Sequence, residues 1–226
     1  MLLNYQDRLD DVFTLVHEAG HSMHTYYSDK NLPYEKAQYK IFVAEVASTV
    51  NEVLLLKYML NETQDKKMKA YLLNHFLDQF RTTLFRQTMF AEFEWETHKM
   101  AENDEPLTVN VLNKIYGDLN RAYYGAGVET DKFIEAEWSR IPHFYRAYYV
   151  YQYATGFSSA VAIADMILNE GKPAVERYKK FLSSGGSDFP VELLKITGVD
   201  LSKPDAIISA LKVFENTIDE FERMVK

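Results

Sequence analysis

Apolar residues recur every three to four positions along almost the whole chain, and alternating runs rich in β-branched residues are nearly absent, a pattern that predicts an all-α fold. In VFTLVHEAGHSMHTYY, Val12, Leu15, Val16, Ala19 and Met23 make one apolar stripe, with Asp10 or Asp11 as the expected N-cap. A second helix is predicted from about Tyr39 to Leu60. A third pattern starts near Asp65 and runs through HFLDQFRTTLFRQTMFAEFEWETHKMAE without Pro or Gly until after Asn103, which reads as one long spine helix. Pro at the start and Gly beyond the end mark further helices in KPAVERYKKFLSSGG and FPVELLKITG, and Pro opens a last one in KPDAIISALKVFENTIDEFERMVK. YYGAGVETD is the main irregular stretch, where Gly125 and Gly127 mark either an ordinary turn, the more frequent reason for glycine, or a loop that closes over substrate.

With 226 residues the chain can bury a sizeable core without disulfide or metal, and one domain is the default expectation. The absence of cysteine excludes disulfides, thiolate metal sites and a cysteine nucleophile. A net charge of -8 argues against phosphate-backbone binding, so nucleic acid is not expected as a partner. No apolar run is long enough to cross a bilayer, and MLLNYQDRLDD lacks the features of a signal peptide, so the expected address is cytoplasmic.

The opening stretch changes the picture from fold to chemistry. On a helix, His17 and His21 lie one above the other with Cβ atoms about 5 to 6 Å apart, the geometry of a two-histidine metal clamp. Glu18, one residue round, can reach a metal-activated water without ligating the metal. In the HExxH mechanism zinc polarises water and substrate carbonyl while the glutamate removes a proton. HExxH fixes only three positions and recurs by chance in unrelated chains, so a third ligand decides the matter. IFVAEVASTVNEVLLL is apolar around most of its circumference, and its polar exceptions Glu45, Ser48, Thr49 and Glu52 fall on one narrow stripe. Carboxylates among apolar neighbours are costly unless paired or bound to a cation. A solvated stripe on a surface helix is the other reading.

HEAGHSMH, FVAEVASTVNE, RIPHFYRAYYVYQYATG and FLSSGGSDFPVELLKITGVDL together resemble the catalytic part of oligoendopeptidase F, in the thimet oligopeptidase family of zinc metallopeptidases. The resemblance implies an all-α gluzincin fold cleaving short oligopeptides at internal bonds. It makes His17, His21 and Glu45 the ligands of one Zn2+ and Glu18 the general base. Glu52 is then a candidate to hold the outer ring nitrogen of a ligating histidine. His24 shares the face of His17 and His21; a fourth protein ligand would displace the water, which leaves it a supporting, substrate-contacting or plain structural role. In the family, a histidine and two tyrosines three apart stabilise the oxyanion; Tyr148 and Tyr151 have that spacing, and His143 precedes them more closely than in the mammalian members. Tyr149 and Tyr153 are assigned to aromatic packing, and His75 and His98 to structure. Family members are much longer than this chain, with an N-terminal lobe forming the opposite channel wall. Two alternatives to an endopeptidase follow: a zinc-binding fragment that needs the missing lobe, self-associating through the surface that lobe would cover, and a related HExxH metallocarboxypeptidase.

Overall fold

The computed structural model describes residues 1–226, and all of its regular structure is helical. α1 spans Leu9–Asn31, a short α2 Tyr34–Ala37, α3 Ile41–Glu62 and α4 Lys66–Gln79. They are followed by α5, Arg86–Glu102, and α6, Val109–Tyr124, then by two 3-10 turns at Ile134–Arg140 and Pro142–Tyr145. The remainder is α7 Tyr151–Glu170, α8 Lys172–Leu182, α9 Pro190–Lys195 and α10 Asp205–Val225. No helix is long and apolar enough to cross a membrane.

The chain divides into two compact units, one made of Met1–Phe80 with Thr155–Lys226 and the other of Arg81–Ala154. The core of the first gathers Val43, Val46, Ala47 and Val50 of α3 with Ala160 and Ile163 of α7, Phe181 and Leu182 of α8, and Leu193 and Leu194 of α9. Burying each such aliphatic side chain is worth about 1.5–3 kcal/mol, and α3, apolar on most of its circumference, contributes a full face to this core. The second unit is centred on Met89, Phe90, Phe93, Tyr116, Ile141 and Val150. There Glu137 is buried and accepts hydrogen bonds from Tyr116 Oη at 2.7 Å and Arg86 Nη2 at 2.6 Å, and the Arg140 guanidinium also pairs with it. These partners satisfy a carboxylate that would otherwise be expensive to bury.

Three expectations from the sequence need correction. α1 begins at Leu9 with Arg8 as N-cap; Asp11 lies inside the first turn, where its carboxylate accepts the Gln6 and Arg8 N–H groups, both at 2.9 Å. The inner face of α1 is not the predicted apolar stripe: Leu15 and Met23 are each 43% exposed, while Phe13, Gly20, His24 and Ser28 are buried. The spine is not a uniform helix, because Phe80–Phe85 is a π-helix between α4 and α5. A π turn carries an extra residue and shifts the phase of the apolar face, so Leu72, Leu73 and Phe76 belong to one periodicity and Met89, Phe90 and Phe93 to the next. No Gly or Pro marks the slip.

Gly20 is the point where α1 meets α3. A Cβ built there would lie 2.6 Å from Ser48 Cα and 2.7 Å from Ala47 O, both backbone atoms that cannot swing aside. His24, one turn on, is 1% exposed, stacked on Tyr39 with ring centroids 3.7 Å apart and flanked by Phe181 at 5.3 Å; its Nδ1 has no hydrogen-bond partner. Burial, reinforced by the neighbouring charge of His21, lowers its pKa from 6.5 to about 4. His24 is a neutral core residue, not a solvent-facing contact of the opening motif.

Two predictions follow from this packing. Gly20→Ala is expected to cost about 1–3 kcal/mol or more by overpacking, with a fall of several °C in Tm measured by calorimetry. For His24 the depressed folded-state pKa means that the unfolded chain takes up the proton first. The stabilising contribution is therefore complete above about pH 6.5 and declines as pH falls towards 4, by about 2 kcal/mol between pH 7 and 5. Urea unfolding at the two pH values should show this component in the parent and lose it in His24→Phe, which keeps a ring on Tyr39.

Candidate metal centre

With Gly20 against the Ser48 backbone, the turns of α1 on either side face the polar stripe of α3. His17 and His21 project together from α1, their rings 4.8 Å apart and edge to face. Glu45 Oε2 lies 3.2 Å from His17 Nε2 and 3.5 Å from His21 Nε2. One ligand atom from each of these three residues falls within 4.8 Å of the others. Ser48 Oγ donates to the same Glu45 oxygen at 2.9 Å and so fixes the carboxylate's rotamer. Two imidazole nitrogens and one carboxylate oxygen are donor types that zinc accepts, and the set fits a divalent metal.

On its other side His17 is held by Glu52, whose Oε1 accepts from Nδ1, while Gln79 Nε2 donates to Glu52 Oε2 at 2.6 Å. Both oxygens of Glu52 are thus occupied, and the His17 ring is locked with Nε2 towards Glu45. Burial opposes charge on His17, but the flanking carboxylates of Glu45 and Glu52 overcome it and push its pKa from 6.5 up to about 10. Hydrogen bonds from His17 and then His21 hold Glu45 far below the usual carboxylate range. The cluster attracts positive charge to the point where the three donor atoms converge.

Glu18 is half-buried and lines an open cleft of about 390 Å³ together with Asp10, Thr14, His17, His75 and Gln79. His75 packs its ring on Phe13 at 4.5 Å and places Nδ1 3.8 Å from Asp10 Oδ1. The structure therefore gathers His17, Glu18, His21, Glu45 and Glu52 and separates His24 from them into the core. It adds Gln79 and His75. The spacing of those two, four apart on one face of α4, is the only signal in the sequence that could have identified them.

The tyrosine segment belongs to the second unit and is less helical than the sequence implies. Only Pro142–Tyr145 forms a 3-10 turn, and α7 starts at Tyr151. The three-residue spacing of Tyr148 and Tyr151 is thus not a helical face. Tyr148 lies in the connection with a left-handed backbone, φ +54°, and both residues are substantially exposed. His143 stacks on Tyr149 at 5.7 Å and approaches Tyr153 Oη at 3.5 Å, while Tyr153 and Tyr149 share a hydrogen bond at 3.4 Å. Arg146 covers the Tyr149 ring at 4.5 Å. Tyr149 and Tyr153, assigned above to packing, are the tyrosines grouped with His143.

Comparison with known proteins places the chain in a family. The model of "Peptidase family M3" matches residues 1–213. "Oligopeptidase PepF" of Bacillus subtilis is 54% identical over 225 residues, covering 100% of this chain and 34% of that protein. "Group B oligopeptidase PepB" of Streptococcus agalactiae is 46% identical over 225 residues, covering 100% of this chain and 37% of that protein. The chain thus spans little more than a third of the length of these curated relatives. The crystal structure of oligoendopeptidase-F from Enterococcus faecium superposes with a TM-score of 0.87 at 48% identity, over 96% of this chain and 39% of that one. A family match over nearly the whole chain, with relatives this similar on the same all-α fold, establishes that the chain belongs to peptidase family M3.

Proposed function

We propose that this chain is the zinc-binding catalytic part of an endopeptidase that hydrolyses internal bonds of short oligopeptides. The observation that carries the reading is the convergence of His17, His21 and Glu45, with Glu18 on the next helical position lining the adjoining cleft. The names of the relatives, an oligopeptidase and an oligoendopeptidase, supply the substrate class. One zinc per chain would be held by His17, His21 and Glu45. When bound it would supply Lewis acidity to the attacking water and the substrate carbonyl.

The protein groups do the rest. Glu18 takes a proton from the attacking water and returns it to the departing amine nitrogen, a task suited to a carboxylate that no ion pair ties down. Glu52, held by Gln79, keeps the His17 ring oriented. Tyr148 and Tyr151 are the proposed donors to the developing oxyanion, being phenols that remain neutral hydrogen-bond donors at neutral pH, with His143 a further donor from the same segment. Because the chain covers only 34% and 37% of two relatives, turnover by the chain alone is expected to be weak. Substrate positioning can contribute several kcal/mol, and the wall that would supply it lies outside these residues. Self-association of the isolated chain is expected through surface that the rest of a longer chain would cover.

Elemental analysis after metal reconstitution should give one zinc per chain in the parent and in Glu18→Gln, and loss of tight binding in Glu45→Ala. Peptide hydrolysis, assayed in a longer active form, should fall by roughly a hundredfold or more in Glu18→Gln. Zinc retained at full affinity in Glu45→Ala would remove Glu45 from the ligand set. A peptide blocked at its C-terminus separates endopeptidase from carboxypeptidase, since only the former cuts it at the parent rate. Tyr148→Phe and Tyr151→Phe are each expected to raise the barrier by about 2.7–4 kcal/mol with zinc content unchanged; an unchanged kcat removes the residue concerned from the oxyanion site.

A further inference from the structure

Tyr148 is in a backbone conformation that its side chain disfavours. The other non-glycine residues with positive φ are Asp7 and Asp104, and aspartate visits the left-handed region through local hydrogen bonding. A bulky aromatic residue there is an outlier that must be held from outside. Glu94 of α5 is 3% exposed, and its Oε1 accepts from the Tyr148 backbone N–H at 2.6 Å. One turn further along α5, His98 packs against the Tyr148 ring with centroids 4.9 Å apart, and its Nδ1 lies 2.7 Å from the Glu94 carbonyl oxygen. α5 therefore grips Tyr148 twice, by its backbone and by its ring, while the side chain remains 46% exposed.

We infer that Glu94 is a positioning residue whose carboxylate fixes the left-handed backbone of Tyr148 and so aims its phenol. A carboxylate buried to this degree is tolerated only where it is well partnered, and the partner here is the amide whose conformation needs support. Without that acceptor, only the ring contact with His98 holds Tyr148 at positive φ, and the backbone relaxes towards the extended or right-handed region. The catalytic consequence rests on the reading of Tyr148 as an oxyanion donor; the positioning itself does not.

Amide hydrogen exchange at Tyr148, resolved by NMR, tests the positioning directly. Glu94→Ala should accelerate exchange at that amide by about tenfold or more, as expected for loss of a hydrogen bond to a charged group. Glu94→Gln, which keeps an acceptor oxygen, should recover most of the protection. Unchanged exchange in Glu94→Ala overturns the proposal. Where peptide hydrolysis is measurable, Glu94→Ala should lower kcat about tenfold with little change in KM or zinc content, again restored by Glu94→Gln. Faster exchange with unaltered kcat supports the positioning and counts against Tyr148 as a catalytic donor, which keeps the two readings distinguishable. If Glu94→Ala folds too poorly to assay, the double variant with Tyr148→Gly decides, because glycine adopts positive φ unaided. Recovery of the fold supports the proposal, and failure to recover overturns it.

Discussion

α1 and α3 approach at Gly20 until backbone meets backbone, with space for a hydrogen and none for a methyl group. Helix axes usually stand 8–10 Å apart because side chains intervene; removing the side chain at the crossing brings the flanking turns within reach of each other. His17 and His21 then share the space in front of Glu45, and the Ser48 hydroxyl ends up on the same carboxylate. A wider crossing would leave three separate polar side chains. The small residue within HEAGH is thus as much a part of the centre as the donors, although it contributes no donor atom.

Around that crossing the charges are arranged in series. Glu45 faces His17 on one ring nitrogen and Glu52 faces it on the other, and Gln79 occupies the second oxygen of Glu52. Each group has its rotamer set by the next, so the ring of His17 has little freedom before anything binds. Preorganisation of this kind is what a metal centre needs, since ligands that must be ordered on binding cost affinity. The same series raises the pKa of His17 to about 10, so a metal entering the site would have to displace protons.

Much of this was legible in the sequence. Pro and Gly placed the later helices, and the apolar circumference of α3 made its polar stripe conspicuous, which singled out Glu45 and Glu52 beside HEAGH. Four things were not. The apolar positions of α1 suggested the wrong buried face, because hydrophobic periodicity cannot distinguish a stripe that packs on its own core from one left outside. The π-helix at Phe80–Phe85 slips the phase without a Gly or Pro to announce it. Glu94 was invisible, and Gln79 was marked only by its spacing from His75, because each acts on a single distant group and a lone Glu or Gln on a long helix resembles any solvated position. His24 reads as a member of the histidine face by spacing, and only the proximity of Tyr39 and Phe181 reveals it as core.

Apart from Phe13, the inner face of α1 is made of groups that a helix chosen for stability alone would not bury: two histidines, a glycine in mid-helix, a third histidine stacked in the core, and Ser28, which donates to the Ala37 carbonyl. Its more apolar side, with Leu15 and Met23, is left exposed. Phe13 and Tyr27 give such a helix only part of its hydrophobic anchoring, so much of its placement comes from its neighbours. α3 supplies a valine-rich core whose burial does not depend on α1 contributing a leucine stripe, and α8 supplies Phe181 against His24 and Ser183 against Asn31. Local propensity and fold disagree at α1 because the face turned inward carries the candidate metal donors. Rule-breaking of this kind is expected to concentrate where function is built.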